Sequence, residues 1–133
     1  MLDEELAIRD GEDHAFYAPF NKVVNLQHVI IAYAVNEPVA CGALRVLDEE
    51  SMEIKRMYTR PEYRGKGIAK KILSALENQA FTAGYKQCVL ETGLHQPEAI
   101  ALYERTGYER IENYGPYAGV YNSVCFKKAL QIT

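Results

Sequence analysis

Glycines and basic residues alternate in the segment Tyr63-Arg64-Gly65-Lys66-Gly67-Ile68-Ala69, which leads into a stretch with helical periodicity. Glycine has no Cβ atom, so the backbone can turn there and approach a ligand closely. The first amides of a helix have no partner within the helix, and they lie at the positive end of its dipole. These free amides, together with the cations of Arg64 and Lys66, predict a binding site for a phosphate group. An ordinary glycine turn before a basic surface helix would show the same residues, so the segment alone names no ligand.

Two common phosphate-binding motifs are absent from this segment. The chain has no G-x-x-x-x-G-K-S/T pattern, which excludes a P-loop, and Lys70 occupies the third glycine position of G-x-G-x-x-G. The ligand must therefore be inferred from residues elsewhere in the chain.

A predicted strand and a predicted helix flank the segment and would hold it in place. Apolar residues recur at helical spacing from Ile68 to Ala83, and Gly84 then caps the helix. A second helix begins at Pro97 and ends before Gly107. Six strands are predicted, at residues 29–35, 39–46, 52–59, 88–92, 108–111 and 123–127. The first three form an antiparallel meander, and the order of all elements predicts a mixed α/β sheet.

The composition is typical of one globular domain. The chain has 133 residues, 48% of them apolar, so a single packed domain over residues 1–133 is expected. The net charge of −3 gives no general attraction to nucleic acid or to an anionic membrane. No apolar run approaches the roughly 20 residues of a membrane helix, and the acidic amino terminus lacks the pattern of a signal peptide. We therefore expect a cytoplasmic protein without nucleic-acid or membrane partners.

The three cysteines, Cys41, Cys88 and Cys125, are widely spaced, and each lies in an apolar stretch. This pattern favours reduced thiols in the core. No close Cys/His pair of the kind that binds zinc occurs in the sequence, so no metal site is expected.

Three separated blocks of the chain share residues with one known family. The central block is Arg64-x-x-Gly67-x-Ala69. Upstream of it, Glu53 lies eleven residues before Arg64. The downstream block is Gln96-x-x-Ala99-Ile100-x-Leu102-Tyr103-x-x-x-Gly107-Tyr108. The three resemble, in the same order along the chain, the catalytic glutamate, the coenzyme A signature and the second conserved block of the GNAT N-acetyltransferase superfamily. The resemblance extends over residues 29–128.

The resemblance implies a GNAT fold, a mixed and mostly antiparallel twisted sheet flanked by helices, with acetyl-CoA as acetyl donor. In this family the strand before the loop splays from its neighbour, and the pantetheine arm lies in the gap. The residues implied for the pantetheine arm are Met57, Tyr58, Thr59 and Gln96, the last in place of the family's usual Asn. The backbone amides implied for the pyrophosphate are those of Arg64, Gly65, Lys66, Gly67, Ile68 and Ala69.

The resemblance also implies two catalytic side chains. Tyr103 matches the family's usual general acid, which stabilises or protonates the departing thiolate. Glu53 matches the base that removes a proton from the acceptor ammonium, although its ordinary pKa of about 4.3 makes it weak at pH 7. Glu91 is a second candidate for the base. Each of them also fits a purely structural role, Tyr103 in the core and Glu53 as a polar strand residue.

The acceptor pocket in such proteins is built by the amino-terminal segment and the loop between the last two strands. Here these contain His14, Tyr17 and Tyr117, whose rings would suit a cation or an aliphatic amine, though packing alone would also explain them. No cysteine has the setting of a nucleophile, so direct transfer within a ternary complex is expected rather than an acetyl-enzyme. The acceptor itself is not identified by the sequence.

The amino terminus departs from the family pattern. Leu2 and Leu6 have helical spacing, so residues 1–9 are predicted to be a helix and the family's usual first strand to be missing. Strand 29–35 would then lie at a sheet edge, which proteins usually cover. We expect either the amino-terminal segment or a second subunit, in a homodimer, to cover it.

Two other functions remain compatible with the glycine segment. A non-catalytic acetyl-CoA-binding module that regulates a partner would need neither Tyr103 nor Glu53. A nucleotide-binding protein of a different fold would share only the phosphate site.

Overall fold

The sheet of this protein has seven strands within residues 6–10 and 28–130, the part of the chain that a computed structural model describes. For residues 6–10 only the backbone is described. The strands are β1 (Leu6–Asp10), β2 (His28–Ala34), β3 (Glu37–Val46), β4 (Ser51–Thr59), β5 (Gln87–Gly93), β6 (Glu109–Ile111) and β7 (Ser123–Ala129). The helices are α1 (Ile68–Thr82) and α2 (Pro97–Arg105), with 3-10 turns at Pro61–Tyr63 and Gly115–Tyr117. Within these ranges no helix is long and apolar enough to cross a membrane.

The strand order is β1-β2-β3-β4-β5-β7-β6. All neighbouring strands pair antiparallel except β4 and β5, which are parallel. A parallel pair needs a long crossover connection, and α1 provides it. This mixed, mostly antiparallel sheet with helices is the predicted fold class.

Helix α1 packs on one face of the sheet and thereby holds the glycine segment at its amino terminus. Its buried side chains are Ile68, Ile72, Leu73, Leu76 and Ala80. Each large aliphatic side chain contributes about 1.5–3 kcal/mol when it is fully buried. Gly42 of β3 permits the close approach, because a Cβ atom there would lie 2.6 Å from Met57 Sδ and 2.8 Å from Ile72 Cγ2.

The helix predicted for residues 1–9 is wrong for residues 6–9, and its residues 1–5 lie outside the described part of the chain. Residues 6–10 form β1, which pairs antiparallel with β2 from Leu6 opposite Ala34 to Asp10 opposite Ile30. The helical interpretation depended on a single apolar spacing, and the unpaired edge of β2 offers backbone hydrogen bonds that outweigh such a weak local preference. The first strand is therefore present. It covers the edge of β2, which is the first of the two arrangements expected from the sequence. Formation of a homodimer stays a prediction.

Candidate functional site

A cleft opens where β4 and β5 separate. The parallel pairing comprises Ser51 opposite Gln87, Met52 opposite Cys88 and Glu53 opposite Val89, and it stops there although both strands continue. The splayed strands that the resemblance implied are thus present. The cleft has a volume of about 480 Å³. It is lined by Glu53, Ile54, Lys55, Arg56, Met57, Tyr58, Glu91, Thr92, Gly93, Gln96, Ala99, Tyr103 and Tyr117.

A β-bulge shapes the β4 side of the cleft. Cys41 pairs with Tyr58 and Ala43 pairs with Lys55, so two residues of β4 oppose Gly42 alone. Arg56, one of the two, has a left-handed backbone with φ of 61°. Such bulges occur next to active sites, where they redirect side chains. Nothing in the residue types at this point of β4 indicates the bulge, so the sequence did not predict it.

The glycine segment has the backbone that its composition predicts. Gly65 and Gly67 have φ values of 76° and 81°, in the left-handed region that favours glycine. Gly67 is the N-cap of α1 and accepts the first helical hydrogen bond, from the Lys71 amide at 3.2 Å. Apart from its two chain neighbours, no atom of the described residues lies within 4 Å of a Cβ atom placed at either glycine. The space beside the free amides is therefore open to a ligand.

Arg64 fastens this segment to the end of β4. Its Nε donates a hydrogen bond of 2.8 Å to the Thr59 carbonyl oxygen, and its guanidinium carbon lies 5.7 Å from the centre of the Tyr58 ring. Met57 and Tyr58 line the cleft, whereas Thr59 does not. The Arg64 side chain therefore helps to fix the geometry between strand and loop, in addition to supplying a positive charge near the helix start.

Tyr103 lies on α2 with only 6% of its surface exposed, and it lines the cleft. Its ring contacts Tyr108 and Phe126, with centroid distances of 5.8 and 6.0 Å, so packing fixes its orientation. Burial, and secondarily the charge of Glu91, raises the pKa of Tyr103 to about 12. The phenol is therefore protonated at neutral pH, which is the state that a hydrogen-bond donor requires.

Glu53 is 2% exposed, and three polar groups surround its carboxylate. The Tyr114 hydroxyl donates a hydrogen bond of 2.6 Å to Oε2. Arg45 Nη1 lies 3.7 Å from Oε1, and Lys55 Nζ lies 4.0 Å from Oε2. A buried charge needs such partners to offset its loss of hydration. Burial and the hydrogen bond to Glu53 together raise the pKa of Tyr114, so Tyr114 stays the donor.

A second contact ties Lys55 to the same loop. Lys55 Nζ donates a hydrogen bond of 2.9 Å to the Tyr117 hydroxyl, and the Tyr114 and Tyr117 rings meet edge to face at 5.5 Å. The loop between β6 and β7 therefore closes one side of the cleft above Glu53. The sequence pointed to this loop by its aromatic residues, but the hydrogen bond between Tyr114 and Glu53 spans 61 positions and left no local signal.

Of the other predicted residues, three line the cleft and two lie outside the described residues. Gln96 lines the cleft at the N-cap of α2, where its side chain makes no capping hydrogen bond. Glu91 also lines the cleft, and it accepts a hydrogen bond of 2.7 Å from Ser123 Oγ. Tyr117 belongs to the cleft wall, whereas His14 and Tyr17 lie outside the described residues.

Metal and thiol chemistry find little support in the described part of the chain. No group of three or more His, Cys, Asp or Glu side chains there could hold a metal ion. Burial raises the pKa of both Cys41 and Cys88 to about 12, so these thiols stay protonated and are poor nucleophiles.

The chain is similar to known acetyltransferases. Residues 3–108 match the family described as the acetyltransferase (GNAT) family. The crystal structure of a putative acyl-CoA N-acyltransferase from Klebsiella pneumoniae is 32% identical, with a TM-score of 0.85 over 95% of this chain and 98% of that one. The Escherichia coli protein called uncharacterized N-acetyltransferase YjgM is 45% identical over 114 residues, which are 84% of this chain and 60% of that protein. The chain spans 58% to 60% of the length of the first curated relatives that it matches.

A more distant solved structure shares the fold. It is a GNAT family acetyltransferase from Elizabethkingia anophelis with acetyl-CoA bound, and it is 17% identical to this chain. The TM-score is 0.74, over 96% of this chain and 99% of that one.

Proposed function

Because the chain belongs to the acetyltransferase (GNAT) family, we propose that it transfers an acetyl group from acetyl-CoA directly to a primary amine of a small molecule or peptide. One observation carries the proposal. The cleft between β4 and β5 holds both Tyr103 and Glu53, the candidates for general acid and base, and the glycine segment follows β4 after one short 3-10 turn.

The open glycine segment suits the pyrophosphate of acetyl-CoA. Its left-handed glycines leave the first amides of α1 unobstructed, and the helix dipole favours an anion there. Lys66 adds a cation in the same segment. The pantetheine arm would then follow β4 past Tyr58 and Met57 into the cleft, where Gln96 faces it from α2.

Glu53 would act as the base, directly or through a water molecule. An ammonium acceptor must lose a proton before its nitrogen can attack the thioester. A carboxylate has about four lone-pair sites, so the hydrogen bond from Tyr114 leaves others for a water molecule or the amine. The partners that hold Glu53 also orient it toward the cleft.

Tyr103 would assist departure of the thiolate. An ordinary thiol has a pKa of about 8.5, well below the pKa of about 12 of the Tyr103 phenol. Full proton transfer from the phenol to the thiolate is therefore unfavourable. Tyr103 would act chiefly by donating a hydrogen bond to the sulfur as negative charge develops there, which stabilises the transition state.

A thiol-release assay tests the proposal. The protein would be mixed with acetyl-CoA and, in separate reactions, amino acids, polyamines, aminoglycosides and peptides, and the acetylated product would be identified by mass. We expect thiol release that depends on one class of amine. Tight binding of acetyl-CoA without turnover on any amine would instead support a non-catalytic binding module.

A further inference from the structure

Among the described residues, Arg56 is the charged residue of the cleft that has a buried side-chain nitrogen without a hydrogen-bond partner. Four charged residues line the cleft: Glu53, Lys55, Arg56 and Glu91. Glu53 and Lys55 share a network with Tyr114 and Tyr117, and Glu91 accepts a hydrogen bond from Ser123. The Nε of Arg56 is buried and has no hydrogen-bond partner among the described residues.

The backbone at Arg56 makes this arrangement costly to maintain. A non-glycine residue with φ of 61° is strained, and a buried polar atom without a partner loses its hydration without compensation. Arg56 lies in the bulge of β4 and lines the cleft, three residues after Glu53. Both costs would be offset by an anionic ligand that accepts hydrogen bonds from the guanidinium group.

The charge of Arg56 also restricts the acceptor. A bare ammonium ion in this cleft would be attracted by Glu53 and repelled by Arg56. An amine that carries its own carboxylate meets both residues favourably, with its nitrogen toward Glu53 and its carboxylate toward Arg56. The planar guanidinium group matches a carboxylate with two parallel hydrogen bonds.

We propose that Arg56 binds a carboxylate of the acceptor, so that the protein acetylates amines that also carry a carboxylate, such as free amino acids. This inference rests on the proposed acetyl transfer and narrows its substrate class. Lys55 already contacts Tyr117 and Glu53. Arg56 is therefore the cation that would favour an acceptor with a carboxylate over a neutral analogue of the same shape.

Matched pairs of acceptors test the inference. Each α- or ω-amino acid would be compared with its own carboxamide, which keeps the amine and the shape but removes the negative charge. In the wild-type protein we expect kcat/KM to favour the acid by about 10- to 100-fold, the range of hydrogen bonds to charged groups. In Arg56→Gln that ratio should fall toward one, mainly through a higher KM for the acid, and the loss of the repelling charge should lower the KM for the carboxamide. Arg56→Lys should retain part of the preference.

Lys86→Gln is the matched control, because Lys86 is an exposed cation that pairs with Glu50 outside the cleft. Its ratio should equal that of the wild type. Binding of acetyl-CoA and thermal unfolding would establish that each variant is folded. A ratio unchanged in Arg56→Gln, or a higher KM for acetyl-CoA in place of the acceptor effect, would overturn the inference and leave acetyl transfer standing. Absence of turnover with every acid and every carboxamide would overturn the proposed function and this inference together.

Discussion

The hydroxyl group of Tyr114 donates a 2.6 Å hydrogen bond to the carboxylate of Glu53, across 61 positions of sequence. The bond joins the loop between β6 and β7 to the point where β4 and β5 stop pairing. It fixes the carboxylate at the base of the cleft, and it gives the loop a defined position above that carboxylate.

Replacing Tyr114 with Phe should slow catalysis and lower stability. The buried Glu53 charge would lose a hydrogen bond worth about 1.5–3 kcal/mol. We expect kcat to fall about 10- to 100-fold through misplacement of the base, with an unchanged KM for acetyl-CoA. Steady-state kinetics and urea unfolding measure both effects.

Tyr108→Phe is the control for this prediction. Tyr108 also donates to a carboxylate, that of Glu77 at 2.8 Å, but it does not line the cleft. It should lose stability without the loss in kcat. Equal losses of kcat in the two variants would mean that Tyr114 acts on the fold alone.

Tyr103→Phe removes the proposed hydrogen bond to the departing sulfur. We expect kcat to fall by at least about 100-fold, with little change in the KM for acetyl-CoA. The raised pKa of about 12 keeps the phenol protonated as the pH rises, so the ratio of wild-type to variant kcat should be constant from about pH 7 to pH 10. Tyr121→Phe is the control, because Tyr121 is 86% exposed. A wild-type rate in Tyr103→Phe would remove this residue from the mechanism.

Comparison of Glu53→Gln with Glu91→Gln should identify the base. Both carboxylates line the cleft, and glutamine keeps an oxygen that can accept the hydrogen bond from Tyr114 or from Ser123. We expect kcat to fall by about 100-fold or more in Glu53→Gln and much less in Glu91→Gln. The reverse order would transfer the role to Glu91, and full activity in both would mean that the amine loses its proton to solvent. Binding of acetyl-CoA serves as the check on folding.

Gly67→Ala should weaken binding of acetyl-CoA. Alanine at a φ of 81° is strained by about 1 kcal/mol, and its methyl group would lie in the open space beside the first amides of α1. Gly84→Ala is the matched control, because Gly84 also has a positive φ and open surroundings but follows the opposite end of α1. Both variants should lose similar stability in thermal unfolding. Only Gly67→Ala should raise the dissociation constant in calorimetric titration, and equal affinities would argue against the phosphate site.

Elements of the fold that depend on residue type and spacing within a short stretch of chain could be predicted from the sequence. The strand–glycine–helix unit follows from residue types, because left-handed turns select glycine and helices repeat every 3.6 residues. The glycines at 65 and 67 have the predicted backbone, and the implied splay of β4 is present. Features that depend on distant partners were missed. Strand β1 forms because β2 offers an edge, and the bulge at Arg56 and the hydrogen bond from Tyr114 to Glu53 arise from contacts between strands and loops far apart in sequence.

The short parallel pairing of β4 with β5 makes the sheet two half-sheets hinged at one end. One half contains β1 to β4, the other β5 to β7, and three residue pairs join them directly. Beyond that hinge the facing edges of β4 and β5 do not pair with each other, while α1 contacts strands of both halves on one face of the sheet. A ligand that bonds to both edges would act as an inserted strand and stiffen the hinge. Substrate binding and mechanical rigidity would then be coupled through the same few backbone groups.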